Sequence, residues 1–252
     1  MGYLLLALLA LLARLSSARQ RFSTSRILKG PPMFVGHYGI SYASKRAAPA
    51  LPLWVLFLAV QWLDVVWSPL VLLGIEKVRI VPGFTATNPL DLYYMPYTHS
   101  LVAALFWSVT ILLIYRLVVR SADAWRNAII LGLAVFSHWV LDLIVHRPDL
   151  PLYGNTAKVG FGLWDHRALA FGAEAAVLFG GMWLYLRTAP VRRLPMVIFG
   201  LIMLGVQAYI FFGPPPASSS SIAWTALVAY AVFALVAAWL ERPARARVAG
   251  SS

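Results

Sequence analysis

The chain has 252 residues, of which 61% are apolar and only 12% charged, with a formal net charge of +12. Soluble domains carry roughly 25% charged residues, so this composition excludes a disordered chain, a nucleic-acid-binding domain and an ordinary soluble enzyme. It leaves an all-α fold, a polytopic membrane helix bundle in contact with the lipid bilayer, in which the basic excess sets orientation rather than binding nucleic acid.

Residues 1–32 open with an apolar run too short to span, followed by a stretch with basic residues and no acid. A secretory signal places its positive charges ahead of the apolar run. The order here is reversed, so 1–32 reads as a removable leader or an extension upstream of a start at Met33. Residues 33–46 read as a short amphipathic or re-entrant helix that stops ahead of Pro49 and Pro52. Bilayer-length apolar runs follow at 51–73, 98–119, 124–145, 168–186, 194–212 and 222–240. Each is close to the ~20 residues that cross a hydrocarbon core, which gives six spans. Residues 33–190 hold the first four, and 191–252 hold two more, read as scaffold, with a basic tail.

The connections carry an orientation signal. Arg116, Arg120 and Arg126 flank the second turn, Arg187, Arg192 and Arg193 the fourth, and Arg242, Arg245 and Arg247 follow the last span. The alternate connections, 74–97, 147–167 and 213–221, are poorer in Lys and Arg for their length. By the positive-inside rule the arginine-rich turns and the C-terminus are cytoplasmic. With no cysteine in the chain, a disulfide or thiolate centre is excluded, and any metal site must use His, Asp and Glu.

Ionisable side chains inside a bilayer cost at least ~2.5–3.5 kcal/mol each on insertion scales. Asp64, His99, His138, Asp142, His146 and Glu174 lie inside or just at the ends of the apolar runs. His138, Asp142 and His146 recur every four residues and so share one helix face, at a spacing two metal ligands can use. At ~1.5 Å of rise per residue these groups fall in one depth band in the outer half of the bundle. His37 joins the band if 33–46 folds back against the first span. Convergence of this kind marks a site, although a lone His–Asp pair serves equally as interhelical glue.

The ordered set Gly36-His37, Asp64, Tyr97-Thr98-His99-Ser100-Leu101 and Ser137-His138-x-x-x-Asp142, with Pro148 and Pro151 in the loop that follows, resembles the YdjM-like family of bacterial inner-membrane proteins regarded as metal-dependent hydrolases. The resemblance covers residues 33–153. Two departures stand out. The family's paired aspartates are reduced to Asp64 in Gln61-Trp62-Leu63-Asp64-Val65-Val66, and its Gly-His-Arg-Gly is replaced by Tyr94-Met95-Pro96. His146 or Glu174 is then the replacement ligand, or the site holds fewer metals.

The resemblance implies a metal-dependent hydrolase, its metal-site domain read over 33–190, and the position of the site in the outer half of the bundle points to a phosphoester or ester of a lipid-like, membrane-associated substrate. The expected ligands are His37, Asp64, His99, His138, Asp142 and His146. This nitrogen and oxygen set suits Zn²⁺, with Mn²⁺ or Fe²⁺ as alternatives. Glu174, or Asp165 with His166, is the candidate general acid or base, the latter pair reading more simply as a cap on the fourth span. Ser100 orients its neighbour rather than attacking substrate. The rival readings are a transporter or ion-coupled permease, which needs polar groups through the full thickness, and a structural membrane protein stitched by His–Asp pairs.

Overall fold

The computed structural model describes residues 34–241. The reading of 1–32 as a leader, and that of the basic tail beyond Glu241, fall outside the described residues. In chain order the helices are α1 (His37–Ala47), α2 (Leu53–Val60), α3 (Trp62–Leu72), α4 (Leu101–Val118), α5 (Ala124–Val145), α6 (Arg167–Leu186), α7 (Arg193–Phe212) and α8 (Ser219–Leu240). Five of them, α4 to α8, are long and apolar enough to cross a membrane; α2 and α3 together make a sixth, broken span. Long uninterrupted apolar sequence forms helix here because lipid offers no partner for backbone N–H and C=O groups, so each segment must satisfy its own.

α4 presents Val102, Leu105, Phe106, Val109, Leu113 and Ile114 outward. On a bilayer-length helix that is a lipid-facing surface, not a packing defect. α5 is the most deeply enclosed of the long spans, and it pairs closely with α4 across the short turn that joins them. α8 lies against both α2 and α3, and α1 lies between α5, α6 and α2.

Close approach of α1 and α6 depends on two glycines. A Cβ on Gly39 would run into the Val177 carbonyl, and one on Gly181 into the carbonyl of Gly39. Small residues of this kind let helix backbones meet in lipid. Gly180, equally suggestive in sequence, has open space beside it.

Two features depart from the sequence reading. The expected continuous first span over 51–73 is two helices bent by 55°, with Gln61 at φ −106°, ψ 9° between them. Pro69 sits inside α3 and is not the break. The two long connections, expected as loops, each form an antiparallel hairpin: β1 (Lys77–Ile80) with β2 (Leu90–Tyr94), and β3 (Leu150–Tyr153) with β4 (Thr156–Val159). Asn155 and Lys158 of the second hairpin both donate to the Tyr93 carbonyl of the first. Ser219, at the start of α8, donates to the Val78 carbonyl. The hairpins thus cap one end of the bundle. At the opposite end Lys45 pairs with Glu241 at 2.6 Å, and Glu241 also accepts the Leu53 N–H that opens α2.

Candidate metal centre

Six side chains from four helices and their ends meet just beneath the hairpin end. α1 brings His37 as its first residue, α3 brings Asp64 in its first turn, and His99 precedes the Ser100 cap of α4. α5 supplies His138 and Asp142 one turn apart, with His146 as its C-terminal cap. All but Asp64, which is partly buried, are almost fully enclosed.

Each imidazole is held from behind. His37 Nδ1 donates to the Phe34 carbonyl (3.1 Å), His138 Nδ1 to the Val60 carbonyl (2.7 Å), and His146 Nδ1 to Asp149 (2.8 Å). A carbonyl or carboxylate oxygen accepts here, so Nδ1 carries a proton, and in the neutral ring the Nε2 lone pair faces inward. The break at Gln61 makes the His138 contact available, because carbonyls in the last turn of a helix lack onward partners.

His99 is held by a relay. Thr98 Oγ1 donates to Glu76 Oε2 (2.6 Å) and accepts from His99 Nδ1 (2.7 Å). Glu76 also accepts the Tyr97 and Thr98 N–H groups. Burial lifts the Glu76 carboxyl above its usual range, against the pull of His99 and these three hydrogen bonds.

With the rings neutral, four Nε2 atoms look toward two carboxylates, acceptor facing acceptor. His37 Nε2 is 3.4 Å from Asp142 Oδ1, His138 Nε2 is 3.3 Å from Asp142 Oδ2, and His99 Nε2 is 3.3 Å from Asp64 Oδ1. A charge-assisted hydrogen bond would be about 2.7–2.9 Å. Two ligands of one tetrahedral Zn²⁺, each about 2.0–2.2 Å from the ion, stand about 3.3–3.6 Å apart. The spacing is compatible with shared ligation of one ion. His37 Nε2, buried and without a hydrogen-bond partner, fits the same account.

The sets His37/His138/Asp142 and Asp64/His99/His138 each place one ligand atom per residue within 4.8 Å of the others, and both sets could hold a metal ion. His138 belongs to both. A cavity of about 20 Å³ touches Asp64, His99, His138, Asp142 and His146, room for about one water-sized occupant. Asn88, on its wall, also lines a cavity of about 280 Å³ among the Pro82–Leu90 and Pro214–Pro216 segments.

The remaining sequence candidates divide. His146 is in the group but one step out, with Nε2 3.9 Å from Asp142 Oδ2 and its ring against Trp164. Glu174 stands beside the centre: its Oε2 accepts the Gly36 N–H at 2.6 Å, next to His37. Asp165 and His166 are not brought in. Asp165 is tied to Arg147 in an exposed ion pair at 2.7 Å, and His166 is exposed at the head of α6. Ser100 caps α4 by accepting the Ala103 N–H.

Three contributors escaped the sequence reading. Tyr230 of α8, a span read as scaffold, donates to Asp64 Oδ2 at 2.6 Å. Its signal was a hydroxyl in mid-span, which needs a partner when buried. Glu76 carried no motif. Asp149 was signalled only by its i+3 spacing from His146.

Fold and centre together define a multi-span membrane protein with a buried His/Asp cluster able to hold a metal ion. No family model, curated protein or solved structure matches the chain.

Proposed function

We propose that this protein is a membrane-embedded, metal-dependent hydrolase that cleaves a phosphoester or ester of a lipid-like substrate, in keeping with its resemblance to the YdjM-like family. The observation that carries the reading is the set of inward Nε2 atoms, each imidazole fixed through Nδ1, around Asp64 and Asp142. Partners of that kind orient metal-binding histidines and raise their basicity. An all-nitrogen and oxygen set at these separations favours Zn²⁺, with Mn²⁺ and Fe²⁺ next.

His37, Asp64, His99, His138 and Asp142 would hold the ion, with His146 as a reserve ligand. When bound, a divalent cation supplies Lewis-acid polarisation of the scissile group and a water reactive at neutral pH. The chain does the rest. Tyr230 and the Glu76–Thr98 pair keep Asp64 and His99 in position. Glu174, anchored through Oε2 by Gly36, has Oε1 to hold a proton for the leaving oxygen. The hairpins cover the centre from bulk water.

The resemblance supports a bacterial inner-membrane location, and the basic residues Arg116, Arg120, Arg126, Arg187, Arg192 and Arg193 support an orientation with the hairpin end outward and the C-terminus cytoplasmic. A transporter is the weaker reading. Between the centre and the Lys45–Glu241 pair, buried Leu56, Phe57, Leu131 and Val135 pack around uncharged polar residues such as Ser41 and Asn127, with no buried carboxylate, lysine, arginine or histidine among the described residues there.

The test is phosphate release from a lipid phosphate by the Zn²⁺-loaded protein in liposomes. Chelation and Asp142→Asn should each abolish release; release surviving both would overturn the proposal.

A further inference from the structure

A crevice of about 70 Å³ separates α5 from α6 beside the centre. Its walls are Leu141, Ile144 and Val145 of α5 and Ala173 and Val177 of α6. Ile144 and Ala173 are exposed, and both helices have membrane-spanning length and composition. Exposed apolar side chains on such helices meet lipid, so the mouth of the crevice is continuous with the bilayer-facing surface.

The floor differs in kind. It is made by Gly36, His37 and Glu174. His37 Nε2 is buried, unpartnered by hydrogen bonds, and 3.4 Å from Asp142 Oδ1. His37 lines this crevice but not the small central cavity, and its ring lies 4.4 Å, centroid to centroid, from that of His138. The ring of His37 is thus the partition between lipid crevice and metal centre. Apolar walls leading to a carboxyl and an imidazole complement an amphiphile: a hydrocarbon chain along the helices and a polar end on the floor.

We propose that a phosphate monoester of a lipid alcohol, isoprenoid or diacylglycerol, enters sideways from the bilayer between α5 and α6, its chain against Ile144, Ala173 and Val177 and its phosphate end at His37 and Glu174. The bond to be cleaved rests on the hydrolase reading; the place where the chain lies does not.

The experiment uses the full chain in phosphatidylethanolamine/phosphatidylglycerol vesicles with two photoreactive probes, diazirine-tagged farnesyl phosphate and diazirine-tagged dioleoyl phosphatidic acid. Labelling should fall on residues 141–145 and 173–177, and whichever probe labels identifies an isoprenoid or a glycerolipid source. Ala173→Phe, and independently Ile144→Trp, should block labelling. They should also slow release from the chain-bearing phosphate by on the order of tenfold, while sparing p-nitrophenyl phosphate. Ile198→Phe, on the lipid-exposed face of α7, should change neither. Labelling elsewhere, or labelling indifferent to both mouth variants, would overturn the lateral route. Labelling of the crevice without phosphate release from any substrate would uphold the route and refute the hydrolase reading.

Discussion

Tyr230, midway along the last span, donates a 2.6 Å hydrogen bond to Asp64 Oδ2 in the first turn of α3. These residues are 166 positions apart in the chain, and the bond ties the last helix described to the His/Asp cluster. It leaves Asp64 Oδ1 turned toward His99. A carboxylate so held presents one defined oxygen instead of rotating between two.

Tyr230→Phe removes that donor and leaves a carboxylate oxygen without a partner, at a cost of about 1–3 kcal/mol. Metal affinity, measured by competition with a chelating dye, should fall roughly 10–100-fold. Unchanged affinity would show that Asp64 is oriented by other contacts.

The relay behind His99 makes a sharper prediction. Thr98→Val deletes the hydroxyl that joins Glu76 to His99 Nδ1 and should weaken metal binding by about 10–100-fold. Thr98→Ser restores the hydroxyl and should recover most of the loss. If Val and Ser behave alike, the relay has no part in holding the imidazole.

The sequence revealed some of this centre and concealed the rest for physical reasons. His138 and Asp142 were legible because four residues return a helix to the same face. His99 was placed by its depth at the start of a span. His37 required α1 to fold back, and only the Gly39–Gly181 approach makes that docking tight. The bend at Gln61 has no proline or glycine to announce it. Tyr230 looks like any other tyrosine in a span, since a hydroxyl carries no periodicity. Asp165 and His166 drew attention as polar residues beside a membrane helix, but Arg147 holds Asp165 at the surface. The four-residue strands β1, β3 and β4 are too short for alternation to distinguish them from loop.

Helix docking can be tested apart from chemistry. Gly39→Ala and Gly181→Ala each place a methyl group against a facing carbonyl and should destabilise by about 1–3 kcal/mol or more. Gly180→Ala, with open space beside it, should be neutral. Thermal unfolding in detergent reads the difference, and equal loss for all three would contradict the α1–α6 packing.

Metal should also stabilise the fold. A ligand present at 100 times its Kd adds about 2.7 kcal/mol when it binds only the folded state. Chelation should therefore lower the Tm of the wild type, and added Zn²⁺ should leave the Tm of Asp142→Asn unmoved. A Tm indifferent to metal in both proteins would favour His–Asp contacts as interhelical glue.

The proposed function requires that His37, Asp64, His99, His138 and Asp142 share a cation. Its most direct test is elemental analysis of the detergent-purified protein combined with X-ray absorption at the edge of the metal found. The expected result is a stoichiometric divalent ion with only nitrogen and oxygen neighbours at about 2.0–2.2 Å, lost from folded His138→Ala and Asp142→Ala variants. Wild-type protein without stoichiometric metal, or variants that retain it with an unchanged spectrum, would contradict it.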